Sequence, residues 1–100
     1  MKTTGEIIRE KREKNGLLLR QISAQLNIDT AILSKIERGE RKATREQITK
    51  LADILQLDKE SLLIQYLSEI ILCEIQDEDL AIKVLRVAEK TIKYRLNKNQ

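Results

Sequence analysis

The chain has no histidine, no proline, no tryptophan and no phenylalanine, and only one cysteine, Cys73, in 100 residues. Without histidine, His-based zinc sites and Ser-His or Cys-His catalysis are excluded. A single cysteine makes neither an intramolecular disulfide nor a cysteine metal cluster, and its apolar surroundings assign it as a small buried hydrophobe. No window approaches the roughly 20 consecutive apolar residues of a membrane span, and the N-terminal MKTTGEIIREKREK has no uninterrupted apolar stretch. A soluble, cytoplasmic protein is expected. With Tyr66 and Tyr94 as its sole aromatic residues, the core must be built of Leu and Ile. No proline punctuates the chain and its last glycine is Gly39, so an all-α fold is expected.

Cap signals divide the chain into helices. Thr3 and Glu6 have capping-box spacing, which starts a first helix at Thr3 or Thr4, and Asn15-Gly16 ends it. Arg9, Lys11, Arg12 and Lys14 give this helix a basic side. Residues 20–39, RQISAQLNIDTAILSKIERG, then read as two short helices, about 19–26 and 30–38. Ile22, Leu26, Ile28, Leu33 and Ile36 are spaced to meet in one small core. Asn27 sits at the corner between them, where a left-handed conformation is needed that asparagine tolerates. Asp29 is the expected N-cap of the second helix and Gly39 its exit. This is a helix-turn-helix pattern, and it implies DNA binding.

Thr44 and Gln47 repeat the capping-box spacing, which predicts a fourth helix over about 45–55 with Ile48, Leu51, Ala52 and Leu55 inward. Asp58 caps a fifth helix carrying Leu62, Leu63, Tyr66, Leu67, Ile70 and Ile71. Asp77-Glu78-Asp79 opens a last helix to about Leu96, acidic at its start and basic at its end, the favourable sense for the helix dipole. Leu80, Val84, Val87, Ala88, Thr91 and Ile92 lie on one stripe of it, widened by Leu85 and Leu96. The terminal NKNQ is expected to fray.

These residues resemble the Xre family, the phage-repressor class of helix-turn-helix regulators. The matching stretch runs from Ile7 to about Leu63. It includes Arg9-Glu10-Lys11-Arg12, Gly16-Leu17, Ile22-Ser23 for the usual Leu-Ala, Leu33-Ser34-Lys35-Ile36-Glu37-Arg38-Gly39, and Leu51-Ala52-Asp53-Ile54-Leu55. The resemblance implies a five-helix domain that binds operator DNA as a dimer. Three positions depart from the pattern. Leu18-Leu19 replace a polar cap followed by Gln, Ala43 replaces a frequent proline, and Asn27 replaces the corner glycine.

The fold class expected is therefore all-α: a five-helix repressor-like helix-turn-helix domain, residues 1–64, plus a C-terminal helical extension, residues 65–100, for dimerisation. Charge follows this division. Residues 1–50 carry 12 Lys/Arg against 7 Asp/Glu, a balance of +5, and residues 51–100 carry 7 against 9, a balance of −2. The run Lys35, Arg38, Arg41, Lys42, Arg45, facing Glu37 and Glu40, is ordinary solvated surface when it stands alone. Beside a helix-turn-helix it is a candidate phosphate-binding band.

In the family's geometry the second motif helix enters the major groove. Helical spacing turns Thr30, Ala31, Ser34, Lys35 and Arg38 outward, because Leu33 and Ile36 are needed inside. Thr30, Ala31, Ser34 and Lys35 are the candidate base contacts; Thr30 can bond a base or pack on a thymine methyl, and Lys35 can donate to guanine. Ile32 fits either the edge of the core or a thymine methyl. Arg20, Gln21, Arg38, Arg41, Lys42 and Arg45 are the candidate phosphate contacts. The candidate dimer interface comprises Leu67, Ile70, Ile71, Leu80, Val84, Val87, Ala88, Thr91 and Ile92. No catalytic residue, metal or cofactor is expected, since Asp77 and Asp79 are explained as helix-start charges. The expected partners are double-stranded DNA and a second copy of the chain. The rival reading is an antitoxin or adaptor whose C-terminal helices bind another protein.

Overall fold

A computed structural model describes residues 2–98. Its elements are α1 (Thr4–Lys14), α2 (Leu19–Leu26), α3 (Thr30–Glu37), α4 (Arg45–Leu55), α5 (Lys59–Ile75) and α6 (Ala81–Lys98). Among the described residues there is no strand, and no helix is long and apolar enough to cross a membrane. The chain forms two compact units, divided between Ile70 and Ile71.

Caps fix the helix starts. Thr3 Oγ1 accepts from the Glu6 N–H at 3.1 Å, and Thr44 and Gln47 complete a reciprocal capping box. Asp58 Oδ2 accepts from both the N–H and the hydroxyl of Ser61, at 2.9 and 2.6 Å. The hydroxyl bond first, and the amide bond after it, hold the Asp58 carboxyl below its usual range. Asp29 occupies the N-cap of α3 but its side chain makes no cap bond, so the expected cap is positional only. The acidic triplet lies in the turn before α6 rather than in its first turn. Asn97 and Lys98 are helical; the last two residues of the segment expected to fray lie outside the described residues.

Asn27 adopts the left-handed conformation the corner requires, φ 57 and ψ 46. Its own N–H and that of Ile28 return to carbonyls of α2, closing the helix end. Gln56 turns the chain the same way after α4, with φ 57, although nothing in a glutamine marks such a corner. The core of the first unit is Ile8, Ile22, Leu26, Leu33, Ile36, Ala43, Ile48, Leu51, Ala52, Leu55 and Leu62. Five helices contribute to it. Ile28 and Ile32 pack at its margin as partly buried residues.

Two features that hold α1 to α3 involve residues with no apolar signal. Arg12 Nε and Nη2 donate to the two oxygens of Glu37 at 2.8 and 3.1 Å, and Nη1 donates to the Leu17 carbonyl at 3.0 Å. The two side chains are 12% and 4% exposed. Arg12 therefore does not belong to a basic side of α1, and Glu37 does not face the solvent-exposed cations after it. The bonds to Glu37 raise the guanidinium pKa further above its usual range. Gly5 lies so close to the end of α3 that a Cβ there would overlap the Ile36 and Glu37 carbonyl oxygens. Glycine in the first turn of α1 allows the two backbones to meet.

From Ile71 onward most apolar residues are exposed, Ile75 and Ala81 being half-buried. Cys73 is exposed, together with its neighbours Ile71 and Leu72. The expectation that Cys73 is buried is wrong, because an apolar neighbourhood along the chain is not one in space.

Truncating one member of a buried ion pair strands the other charge, which costs about 3–5 kcal/mol, whereas an exposed pair contributes about 1 kcal/mol at most. Arg12→Ala should therefore lower the urea midpoint far more than Arg38→Ala, whose ion pair with Glu40 is exposed. Gly5→Ala should cost about 1–3 kcal/mol through overpacking, in the same measurement.

Candidate nucleic-acid interface

The candidate interface comprises α2, α3 and the loop that leaves α3. Leu33 and Ile36 anchor α3 in the core. That anchoring leaves Thr30, Ala31 and Lys35 exposed and Ser34 half-buried, so the outward face expected from helical spacing is present. Thr30 is also engaged sideways: its Oγ1 lies 3.0 Å from the Oγ of Ser23 on α2.

The cations of the first unit differ in whether they have a carboxylate partner. Lys2, Arg9, Arg12, Lys50 and Lys59 are each paired with a carboxylate of the first unit. Arg20, Lys35, Arg41, Lys42 and Arg45 are exposed and, among the described residues, have no ion-pair partner. Arg38 is intermediate, with Glu40 at 3.2 Å. An unpaired cation keeps its full attraction for an outside anion, and a paired one must first give up its partner. Arg20, Lys35, Arg41, Lys42 and Arg45 lie at the start of α2, on α3 and along the stretch from Gly39 to Arg45; Lys11 and Lys14 on α1 are likewise without an ion-pair partner among the described residues.

Gln21 is exposed, and its side-chain carbonyl accepts from the Leu18 N–H at 2.7 Å. Its amide nitrogen still has both protons to donate. Leu18, at the N-cap of α2, offers no side-chain bond and is half exposed, while Leu19 packs against the core. The residue missed by sequence reasoning is Tyr66. Its hydroxyl donates to the Ala43 carbonyl at 2.7 Å and so ties α5 to the stretch that presents Arg41 and Lys42. Ala43 is buried there; the loss of a proline's stiffness is offset by this tether. A tyrosine among leucines reads simply as core, and only its distant partner shows the role.

A family model described as helix-turn-helix matches residues 8–62, more than half of the chain. The chain belongs to the Xre/Cro-like helix-turn-helix family. It is thus a DNA-binding regulator of the helix-turn-helix type, a family that is not typically enzymatic. Searches of curated proteins and of solved structures find no match.

The residues expected at a dimer interface are almost all uncovered within one chain. Leu67, Ile71, Leu80, Val84, Val87, Ala88, Thr91 and Ile92 are exposed and Ile70 is half-buried. No residue of α6 is buried.

Tyr66→Phe removes one part-buried hydrogen bond and leaves the ring in place, so it should cost about 1 kcal/mol, read as a small fall in the urea midpoint. Amide hydrogen exchange should rise selectively between Gly39 and Thr44.

Proposed function

We propose that the protein is a sequence-specific transcriptional regulator, a repressor by occupancy, that binds a palindromic operator as a homodimer in the cytoplasm. The observation that carries this reading is the run of exposed, unpaired cations on and just after α3, Lys35, Arg41, Lys42 and Arg45, with Arg20 at the start of α2. Thr30, Ala31, Ser34 and Lys35 face the base edges. Arg20, Gln21, Arg38, Arg41, Lys42 and Arg45 hold phosphates, which fix register and supply most of the salt-dependent affinity.

A single small helix-turn-helix buries too little DNA for tight genomic binding. A homodimer doubles the contacts and places the two α3 helices about 34 Å apart on one face of the duplex. The exposed apolar stripe Leu80, Val84, Val87 and Ile92 favours this arrangement, because water-exposed apolar surface of that extent is stabilised by a partner. Leu67, Ile70, Ile71, Ala88 and Thr91 complete the interface. The same stripe favours a second reading, in which it binds a different protein as an antitoxin or adaptor does.

Selection of sites from a random duplex library, with the complex weighed in solution, should return a palindrome bound by two copies of the chain. A one-to-one complex with another protein and no enriched sequence would favour the second reading instead. Lys35→Ala should relax preference at particular base pairs, and Arg41→Ala should weaken all sequences alike and flatten the salt dependence. Because Val87 and Ile92 are 65% and 58% exposed, Val87→Glu with Ile92→Glu should leave the first unit folded. It should give a monomer by native mass, with operator affinity reduced more than tenfold.

A further inference from the structure

Ser23 is 3% exposed and stands where the resemblance places an alanine. Its Oγ lies 3.3 Å from the Arg20 carbonyl, to which it donates, and 3.0 Å from Thr30 Oγ1. Each hydroxyl carries one proton and two lone pairs. When Ser23 donates to Arg20, the Thr30 proton must point to Ser23, and both contacts are hydrogen bonds. In the opposite arrangement Ser23 donates to Thr30 and faces the Arg20 carbonyl lone pair to lone pair, so one bond is lost in a buried place. The two-bond arrangement prevails. It commits the Thr30 proton to the protein interior and leaves only lone pairs on its exposed side.

We propose that Ser23 fixes Thr30 as a hydrogen-bond acceptor, so that this end of α3 selects a base presenting an exocyclic amino group and rejects one presenting a keto oxygen. This rests on the reading of Thr30 as a base contact given above. In the major groove adenine N6 and cytosine N4 are donors, whereas guanine O6 and thymine O4 are acceptors. Threonine by itself can meet either class. Buried Ser23 removes one of them, because bonding a keto oxygen would take the Thr30 proton from Ser23 and break this part-buried pair. Ser23 is thus a positioning residue for specificity, touching no base.

The test begins with site selection by the wild-type protein and by Thr30→Val, which keeps the shape and removes the hydroxyl. The position at which their preferences differ is the one Thr30 reads. At that position the amino group alone is then deleted from the operator, purine replacing adenine or 2-pyrimidinone replacing cytosine. Wild-type affinity should fall about fivefold, the effect of one neutral hydrogen bond, and that of Thr30→Val should not change. Ser23→Ala returns the proton to Thr30, so this variant should accept amino- and keto-bearing bases at that position within about twofold. Melting curves establish that both variants are folded, and the base-analogue arm with wild-type protein needs no substitution. The proposal is overturned if Thr30→Val selects the wild-type site, if deleting the amino group leaves wild-type affinity unchanged, or if Ser23→Ala keeps the wild-type preference. Enrichment of no sequence by the wild-type protein would remove the DNA-reading function itself, and the proposal with it.

Discussion

The position of α3 depends on the Arg12–Glu37 pair. A recognition helix of eight residues is too short to be stable by itself, since isolated helices below about 12–15 residues are marginal in water. It must be held from outside. Leu33 and Ile36 anchor one face, but apolar packing is non-directional and would tolerate some rotation of the helix about its axis. The two-pronged bond from Arg12 to Glu37, with the third guanidinium nitrogen on the Leu17 carbonyl, fixes direction as well as distance. Gly5 against the Ile36 and Glu37 carbonyls sets how near α1 can come. Together they define the C-terminal end of α3, and the Asn27 corner defines its beginning.

This arrangement explains which parts of the fold were legible in the sequence. Helix limits were, because caps are local: Thr3, Thr44 and Asp58 each bond a residue three positions away. The inward residues were legible too, because helical spacing alone selects them. The Arg12–Glu37 pair was not, because its members are 25 residues apart and each sits in a charged run where exposure is the natural assumption. Gly5 was silent for a related reason, as its value lies in the backbone that approaches it. Gln56 shows that tertiary packing can impose a left-handed corner on a residue without turn preference, at the modest cost such a conformation carries. Cys73 shows the reverse error, burial inferred from neighbours along the chain.

The candidate site divides in the same way. Its outward residues follow from spacing, since whatever α3 does not bury it must present. What spacing does not convey is whether a charge is free. Arg9 and Arg12 looked like Arg41 and Arg45 in the sequence; the fold neutralises the first two through Glu13 and Glu37 and leaves the others unpaired. A field built this way is focused without a large net charge. The whole chain carries only +3, yet Lys35, Arg41, Lys42 and Arg45 stand unpaired on and just after one short helix.

The electrostatic and apolar surfaces ask for different things. Unpaired cations on an exposed surface are well solvated and cost the fold little, so they need no partner until an anion arrives, and their contribution declines with salt. The exposed stripe of α6 is unfavourable in water at once, at about 25 cal/mol for each Å² of apolar area left uncovered. Salt does not relieve it. In the homodimer proposed above, association through α6 would therefore have a driving force independent of DNA. Under that proposal the ordering cost of bringing two copies together would be met by apolar burial rather than subtracted from the phosphate contacts. Under the same proposal specificity would rest with α3, where each base contact is worth about 1–3 kcal/mol and would count twice across a palindrome.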